Sequence, residues 1–302
     1  MPSAYLWCPA YPLADDAHRQ RALSAARSLS DALAMTLIPS PELTRYAPPG
    51  AWHEAEPRIR DLIAGLDTDL LLAARGGYGC LDLIETILAH PRPRGPRLLG
   101  FSDLTVLHCI WWRRRWGETL YGYMPGVSTG PRAFASTVAL LKGDGLELNQ
   151  GSDASVQVLR PGRAKGMLFA ACLRVLTGLV GTPAMPDLEG CILALEDIDE
   201  KPYRIDRDLQ QLARSGSLRG LAGLVCGSFP CEPTQGGGGP SPAALFARWA
   251  ERLKVPALFG LPFGHTNDPV TLPCGRSAMI SGQGARWSLT VRPSSDSGSG
   301  RY

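Results

Sequence analysis

Ser102 stands where a short apolar run, RLLGF (97–101), gives way to a longer amphipathic stretch, SDLTVLHCIWWRRR (102–115). That order predicts a strand that hands Ser102 to the first residue of a helix. Two readings follow. Serine is a favoured helix N-cap, a role that contributes roughly 1 kcal/mol and needs no ligand. A serine on a sharp strand-to-helix turn can also be a nucleophile, its hydroxyl facing the cleft beyond the strand ends where open parallel sheets bind ligands. Helix N-terminal amides aim at the same spot and favour an oxyanion. The segment is not the G-x-S-x-G of the common hydrolase turn. A serine nucleophile needs a base, and histidine suits proton shuttling at neutral pH because its unperturbed pKa lies near 6.5. The chain has five histidines. His18 lies in a charged stretch (DDAHRQR), His53 precedes a charged helix start, His90 sits in a proline-rich turn, and His108 falls among apolar residues of the helix after Ser102. His265, in LPFGHTNDP, follows an apolar run and adjoins Gly264, which gives it the exposure a base needs. A carboxylate on the other ring nitrogen would fix the tautomer and stabilise the imidazolium. Glu196, Asp197, Asp199 and Glu200 are the candidates in LEDIDEKPYRIDRDLQQL, and Glu196 alone ends an apolar run, CILALE. The alternative is a charged surface loop paired with Arg204 and Arg207.

The glycine-rich RGGYG (75–79) directly follows the apolar DLLLAA (69–74). Glycine there permits positive φ and close approach of backbone to a ligand, or simply a tight turn. A dinucleotide fingerprint fails, because Asp82 stands where the third glycine of G-x-G-x-x-G belongs, and no phosphate-binding G-x-x-x-x-G-K-[ST] occurs. Metal chemistry has little support. Cys226 and Cys231 have no second pair at zinc-ligand spacing, and H-x-x-E-H is absent, so no metal or cofactor is expected.

These residues need a frame. In the first half, apolar runs at 4–9, 36–39, 69–74 and 97–101 read as strands and the stretches 14–35, 53–66, 81–88 and 102–115 as helices. Strand–helix alternation with short connections implies an α/β parallel sheet covered on both faces. After about residue 145 the pattern shifts to short β-like runs (VQVLR, CILALE, GLVCGSF, LFGLPF, AMISG, WSLTV) with helices at 168–178, 204–215 and 242–253. We read residues 1–150 as an N-terminal parallel-sheet domain of flavodoxin or Rossmann type. Residues 165–292 read as a more β-rich α/β domain, and 293–302 as a disordered tail. TQGGGGPSP (234–242) reads as a flexible surface loop.

Composition narrows the function classes. The 302 residues suit one large or two ordinary domains, and 44% hydrophobic side chains are enough for real cores. A formal net charge of +3 is too small to imply nucleic acid or a membrane surface as partner. No apolar run reaches the roughly 18 residues of a spanning helix. The start, MPSAYLWCPAYPLADD, has neither a basic segment nor a long apolar one, so no export signal is read and a cytoplasmic location is expected. The eight scattered cysteines then read as reduced, buried small hydrophobes.

Taken in order, LLAARGGYG (71–79), LLGFSDLTVLH (98–108), LALEDIDEKPYRIDRDLQQL (193–212) and LPFGHTNDPVTLPCG (261–275) resemble the LD-carboxypeptidases, serine peptidases of muropeptides that also include the microcin C immunity peptidases. The resemblance runs from about residue 3 to about 292. It implies a Ser-His-Glu triad, with Ser102 as nucleophile, His265 as general base and Glu196 as the orienting carboxylate. It implies an oxyanion hole from the backbone amides of Gly77 and Asp103, no cofactor, a site between the two domains, and a homodimer. The implied substrate is a cytoplasmic muropeptide that loses a terminal D-amino acid during peptidoglycan recycling. The alternative within the family is cleavage of peptidyl- or aminoacyl-nucleotide toxins, for which Trp7, Trp52, Trp111 and Trp112 are possible stacking partners. An alternative of another class is a non-catalytic peptide- or sugar-binding protein. Three segments depart from the family pattern: Trp7-Cys8-Pro9, Tyr121-Gly122-Tyr123-Met124 in place of a His-Gly-Pro-like segment, and Ala170-Ala171-Cys172-Leu173 in place of Gly-Gly-Asn-Leu. All three are expected to leave the triad untouched and to bear on the substrate pocket.

Overall fold

A computed structural model describes residues 1–47, 54–92, 94–127, 130–153, 155–230 and 239–294. Trp52, His53, Cys231, the glycines of the 234–242 loop up to residue 238, and the tail from residue 295 lie outside the described residues.

The first half runs β1 (Ser3–Trp7), α1 (Asp16–Ala32), β2 (Thr36–Pro39), α2 (Ala55–Gly65), β3 (Leu70–Ala73), α3 (Ile84–Ala89), β4 (Arg97–Gly100), α4 (Thr105–Arg114), β5 (Thr119–Tyr121), α5 (Pro131–Leu141) and β6 (Leu146–Asn149). The second half runs β7 (Gln157–Arg160), β8 (Gly162–Cys172), α6 (Leu173–Gly178), β9 (Cys191–Glu196), α7 (Pro202–Arg214), β10 (Gly223–Cys226), α8 (Pro242–Leu253), β11 (Ala257–Phe259), β12 (Leu272–Cys274), β13 (Ser277–Gln283) and β14 (Arg286–Val291).

One sheet has the order β12-β5-β4-β3-β1-β2. Its β2-β1-β3-β4-β5 portion is all parallel and has the flavodoxin-like order anticipated for the first half. Its last strand, β12, comes from the far end of the chain and pairs antiparallel with β5. The other sheet, β6-β14-β13-β8-β9-β10-β11-β7, is mixed: β8 to β11 run parallel, flanked on both sides by antiparallel strands. Thus β6, from before residue 150, belongs to the second sheet, and β12 belongs to the first.

The apolar periodicity explains most of these elements. In α1, Ala22, Leu23, Ala26 and Leu29 form the buried stripe, and the Asp15 side chain accepts the His18 N–H at 2.7 Å to start the helix. This stripe packs with β1, β3 and α5 on one face of the first sheet. The other face, lined by Tyr5, Trp7, Leu71 and Leu98, shares one continuous core with the second sheet, through Phe169, Leu193 and Phe263.

One expectation is corrected. Residues 168–172 are not the start of a helix; they complete the long strand β8, and the helix α6 begins only at Leu173. The first half of β8 alternates partly buried and exposed residues against antiparallel β13, whereas Leu168–Cys172 lie parallel to β9 and are buried throughout. A strand buried on both faces shows a continuous apolar run, which periodicity cannot tell from a helix. No helix among the described residues is long and apolar enough to cross a membrane. The described cysteines are free and buried.

Candidate active site

Strand β4 ends at Gly100, and the chain turns through Phe101 and Ser102 into a short 3-10 turn, Ser102–Leu104, that leads into α4. Phe101, not Ser102, holds the N-cap position, so the capping role does not account for the serine. Ser102 has φ +68, in the left-handed region that costs a residue with a Cβ roughly 1–2 kcal/mol. Strain of this kind persists where surrounding contacts over-determine it, and it marks serines held on sharp strand-to-helix turns.

The RGGYG loop after β3 passes directly over this turn. A Cβ added to Gly76 would lie 3.0 Å from Ser102 Cβ and 3.3 Å from its Oγ, so any side chain here would press on the serine. Beneath the loop, fully buried Arg58 donates to the carbonyls of Pro9 at 3.1 Å and Gly79 at 2.5 Å and pairs with Asp82 at 2.5 Å. The Asp103 carboxylate accepts the Cys80 N–H at 2.8 Å and so ties the end of the loop to the serine's turn. Burial raises the Asp103 pKa, against the lowering effect of that hydrogen bond. Among the described residues, no acceptor pairs with the backbone N–H of Gly77 or of Asp103.

Glu196 is the last residue of β9 and is fully buried. Its Oε2 accepts from His265 Nδ1 at 2.7 Å and from the His265 backbone N–H at 3.2 Å. The second contact depends on Gly264, whose φ is +86 and whose missing Cβ would lie 2.4–2.6 Å from the Glu196 side chain. Beyond His265 the loop is fastened to the first half of the chain. The Asp268 carboxylate accepts the N–H groups of Arg132 at 3.2 Å and Ala133 at 2.8 Å, capping α5 from outside, and Thr271 Oγ1 lies 2.7 Å from Thr137 Oγ1. The imidazole packs edge-on against Phe101, the residue before the serine, with ring centroids 4.9 Å apart. Ser102 Oγ itself makes no hydrogen bond among the described residues. Burial pulls the His265 pKa down, but the Glu196 hydrogen bond and charge, with Asp197 and Asp199 nearby, more than offset it and the net shift is upward. Asp197, held by the N–H groups of Arg174 and Ile198, is pushed up to about 6 by burial.

The other described histidines, His18, His90 and His108, have structural partners. The His18 Nε2–H donates to Gly126 O at 2.7 Å. The fully buried His108 Nε2–H donates to Gly100 O at 2.9 Å, while its Nδ1 faces Thr119 Oγ1 at 2.7 Å. His90 Nδ1 accepts the Arg92 N–H at 3.3 Å. Trp7 and Trp111 are fully buried, so neither is presented to a stacking ligand, while the half-buried Trp112 donates its indole N–H to Asp187 O. Arg75 donates to Pro12 O, and Arg204 and Arg207 both lie over the Tyr203 ring.

The expectation that the departures leave the triad residues untouched is corrected. Tyr121 Oη donates to Glu196 Oε1 at 2.5 Å and accepts the Ser102 backbone N–H at 3.2 Å. Cys172 pairs with Glu196 across β8 and β9, and its Sγ lies 3.4 Å from Asp197 Oδ1. Tyr121 belongs to a three-residue strand with no periodicity of its own, and its only signal in the sequence was its departure from the family pattern.

Both halves of the chain have known relatives. The model of the LD-carboxypeptidase N-terminal domain matches residues 5–122 and that of the LD-carboxypeptidase C-terminal domain matches residues 165–280. The chain belongs to the LD-carboxypeptidase family. Like other LD-carboxypeptidases it is a peptidase, and it is 31% identical over 250 residues to the murein tetrapeptide carboxypeptidase of Pseudomonas aeruginosa, covering 77% of this chain and 80% of that protein. The crystal structure of muramoyltetrapeptide carboxypeptidase from Oxalobacter formigenes superposes with a TM-score of 0.79 at 25% identity, covering 96% of this LD-carboxypeptidase and 99% of the other chain. The Microcin C7 self-immunity protein MccF of Escherichia coli is 23% identical over 280 residues, covering 80% of this chain and 79% of that one.

Proposed function

We propose that this LD-carboxypeptidase is a serine peptidase that hydrolyses the amide between an L-configured centre and a terminal D-amino acid of a muropeptide. The observation that carries the reading is the Glu196–His265 hydrogen bond, with its imidazole packed against the residue before a serine held at positive φ. In this reading His265 takes the Ser102 hydroxyl proton as Oγ attacks the amide carbon. The carbonyl electrons move onto oxygen, and that oxyanion accepts hydrogen bonds from the N–H groups of Gly77 and Asp103. Loss of one such donor typically costs about 10²–10³ in rate. Glu196 holds the ring with its proton on Nδ1, which leaves Nε2 for the serine, and stabilises the imidazolium. The imidazolium passes its proton to the leaving amine as the C–N bond breaks, and water, deprotonated by the same ring, releases the acyl group. Because β12 follows the His265 loop and pairs with β5 of the first sheet, Ser102 and His265 are held on one framework.

The substrate class rests on the murein and muramoyltetrapeptide carboxypeptidases among the relatives. Action in the cytoplasm during peptidoglycan recycling, and assembly as a homodimer, belong to the same proposal. Burial removes Trp7 and Trp111 as stacking partners for a nucleotide conjugate, the alternative substrate within the family. The test is Ser102→Ala on a murein tetrapeptide, with released D-alanine read by mass spectrometry. A loss of about 10³-fold or more is expected. Wild-type turnover by the variant would end the assignment. Fluorophosphonate labelling of wild type but not of the variant separates an enzyme from a binding protein.

A further inference from the structure

We propose that Tyr121 is a positioning residue for this reaction: its phenol hydroxyl locks the Glu196 carboxylate to the backbone of Ser102. The proposal rests on the Ser-His-Glu reading above and adds to it a fourth group that never touches substrate.

The geometry is specific. Tyr121 is the last residue of β5 and is fully buried. Its strand lies between β4, which leads to Ser102, and β12, which follows the His265 loop; Tyr121 stands beside Gly100 on one side and Leu272 on the other. From there its Oη reaches across to the end of β9 in the second sheet. The two carboxylate oxygens of Glu196 are thus divided, Oε2 on His265 and Oε1 on Tyr121 at 2.5 Å. A carboxylate held at one oxygen can swing about its Cγ–Cδ bond. Held at both it cannot, and the imidazole it carries keeps one orientation. The same phenol oxygen accepts the Ser102 N–H at 3.2 Å, so a backbone donor in a strained turn has a partner.

The surroundings keep the phenol a donor to the carboxylate. The titratable groups that approach Tyr121 are Glu196 from β9, Cys172 from β8 and His108 from α4, whose ring centroid is 5.3 Å away. Burial first, and then the Glu196 charge, push the phenol pKa well above its ordinary value, so the proton stays on Oη throughout the working range. His108 is neutral there, because burial lowers its pKa to about 4.

The test is Tyr121→Phe, which keeps the ring and its packing and removes one oxygen. Turnover of a murein tetrapeptide is measured from about pH 5 to 9 alongside Ser102→Ala. The expected result is a kcat at least about tenfold lower with KM within about twofold. The acid limb of kcat/KM should also move to higher pH, because a carboxylate relieved of its phenol donor holds the imidazolium more tightly. A variant with wild-type kcat and an unmoved limb, beside an inactive Ser102→Ala, would overturn the positioning role alone. So would a lower kcat with an unmoved limb, which would mean that the hydroxyl does not act through the Glu196–His265 pair. Activity in Ser102→Ala would instead overturn the triad on which the proposal stands.

Discussion

Acid should weaken this protein through His108, and the size of the effect can be worked out. His108 is fully buried under the serine's turn, with Nε2–H on Gly100 O and Nδ1 facing the Thr119 hydroxyl. Burial lowers its pKa to about 4, against the small raising effect of the Gly100 bond. In the unfolded chain the ring returns to about 6.5. Between those values the unfolded state binds more protons than the folded one, so stability rises with pH there. The contribution is complete above about pH 6.5 and is lost as pH falls toward 4. At about pH 4.5 the loss relative to about pH 8 comes to about 2.5 kcal/mol. Other groups titrate over the same range, so the comparison is made against His108→Gln, whose amide can keep a donor and an acceptor in place but takes up no proton. Urea unfolding of both proteins at the two pH values gives two stability differences, wild type minus variant. The acid difference should be smaller by about 2.5 kcal/mol. Two equal differences, or a His108 proton resonance titrating near pH 6.5, would refute the assignment of a neutral buried imidazole.

The remaining predictions concern catalysis. Because the His265 pKa is raised on balance, kcat/KM for a murein tetrapeptide should rise with pH through an apparent pKa above 6.5 and then level; a limb below 6 would contradict the Glu196 contact. Gly264→Ala forces a Cβ at φ +86 to within 2.4–2.6 Å of Glu196. The carboxylate must move, and kcat should fall by about 10²-fold or more, with a stability cost of about 1–2 kcal/mol in thermal or urea unfolding. An alanine variant with full activity would show that the loop does not depend on that close approach.

The readable parts of this molecule were those where an apolar run is bounded by turn residues. CILALE is β9 to the residue, which put Glu196 at a strand end, and the stretch 242–253 is α8 to the residue. Ser102 was legible as a strand-to-helix junction, but its positive φ was not, because the same letters suit an ordinary cap. The inner half of β8 was read as helix because burial on both faces removes the alternation that marks a strand. Strands β5 and β12, of three residues each, are too short to carry a period at all. The contact between Tyr121 and Glu196 joins residues 75 apart on different sheets, and nothing local in either segment announces it. The ordered motifs therefore reached the proposed triad, while the groups that hold it came only from the packing of one sheet against the other.

The late arrival of β12 has a consequence for how this chain is made. Synthesis releases the serine's turn early and the strand that follows His265 only after residue 271 has emerged. Until then β5 has one flank open, with its N–H and C=O groups unclaimed on that side. On the proposed reaction, a half-made polypeptide carries a nucleophile with no base, and hydrolytic competence waits for the ribosome to deliver the segment that closes the flank.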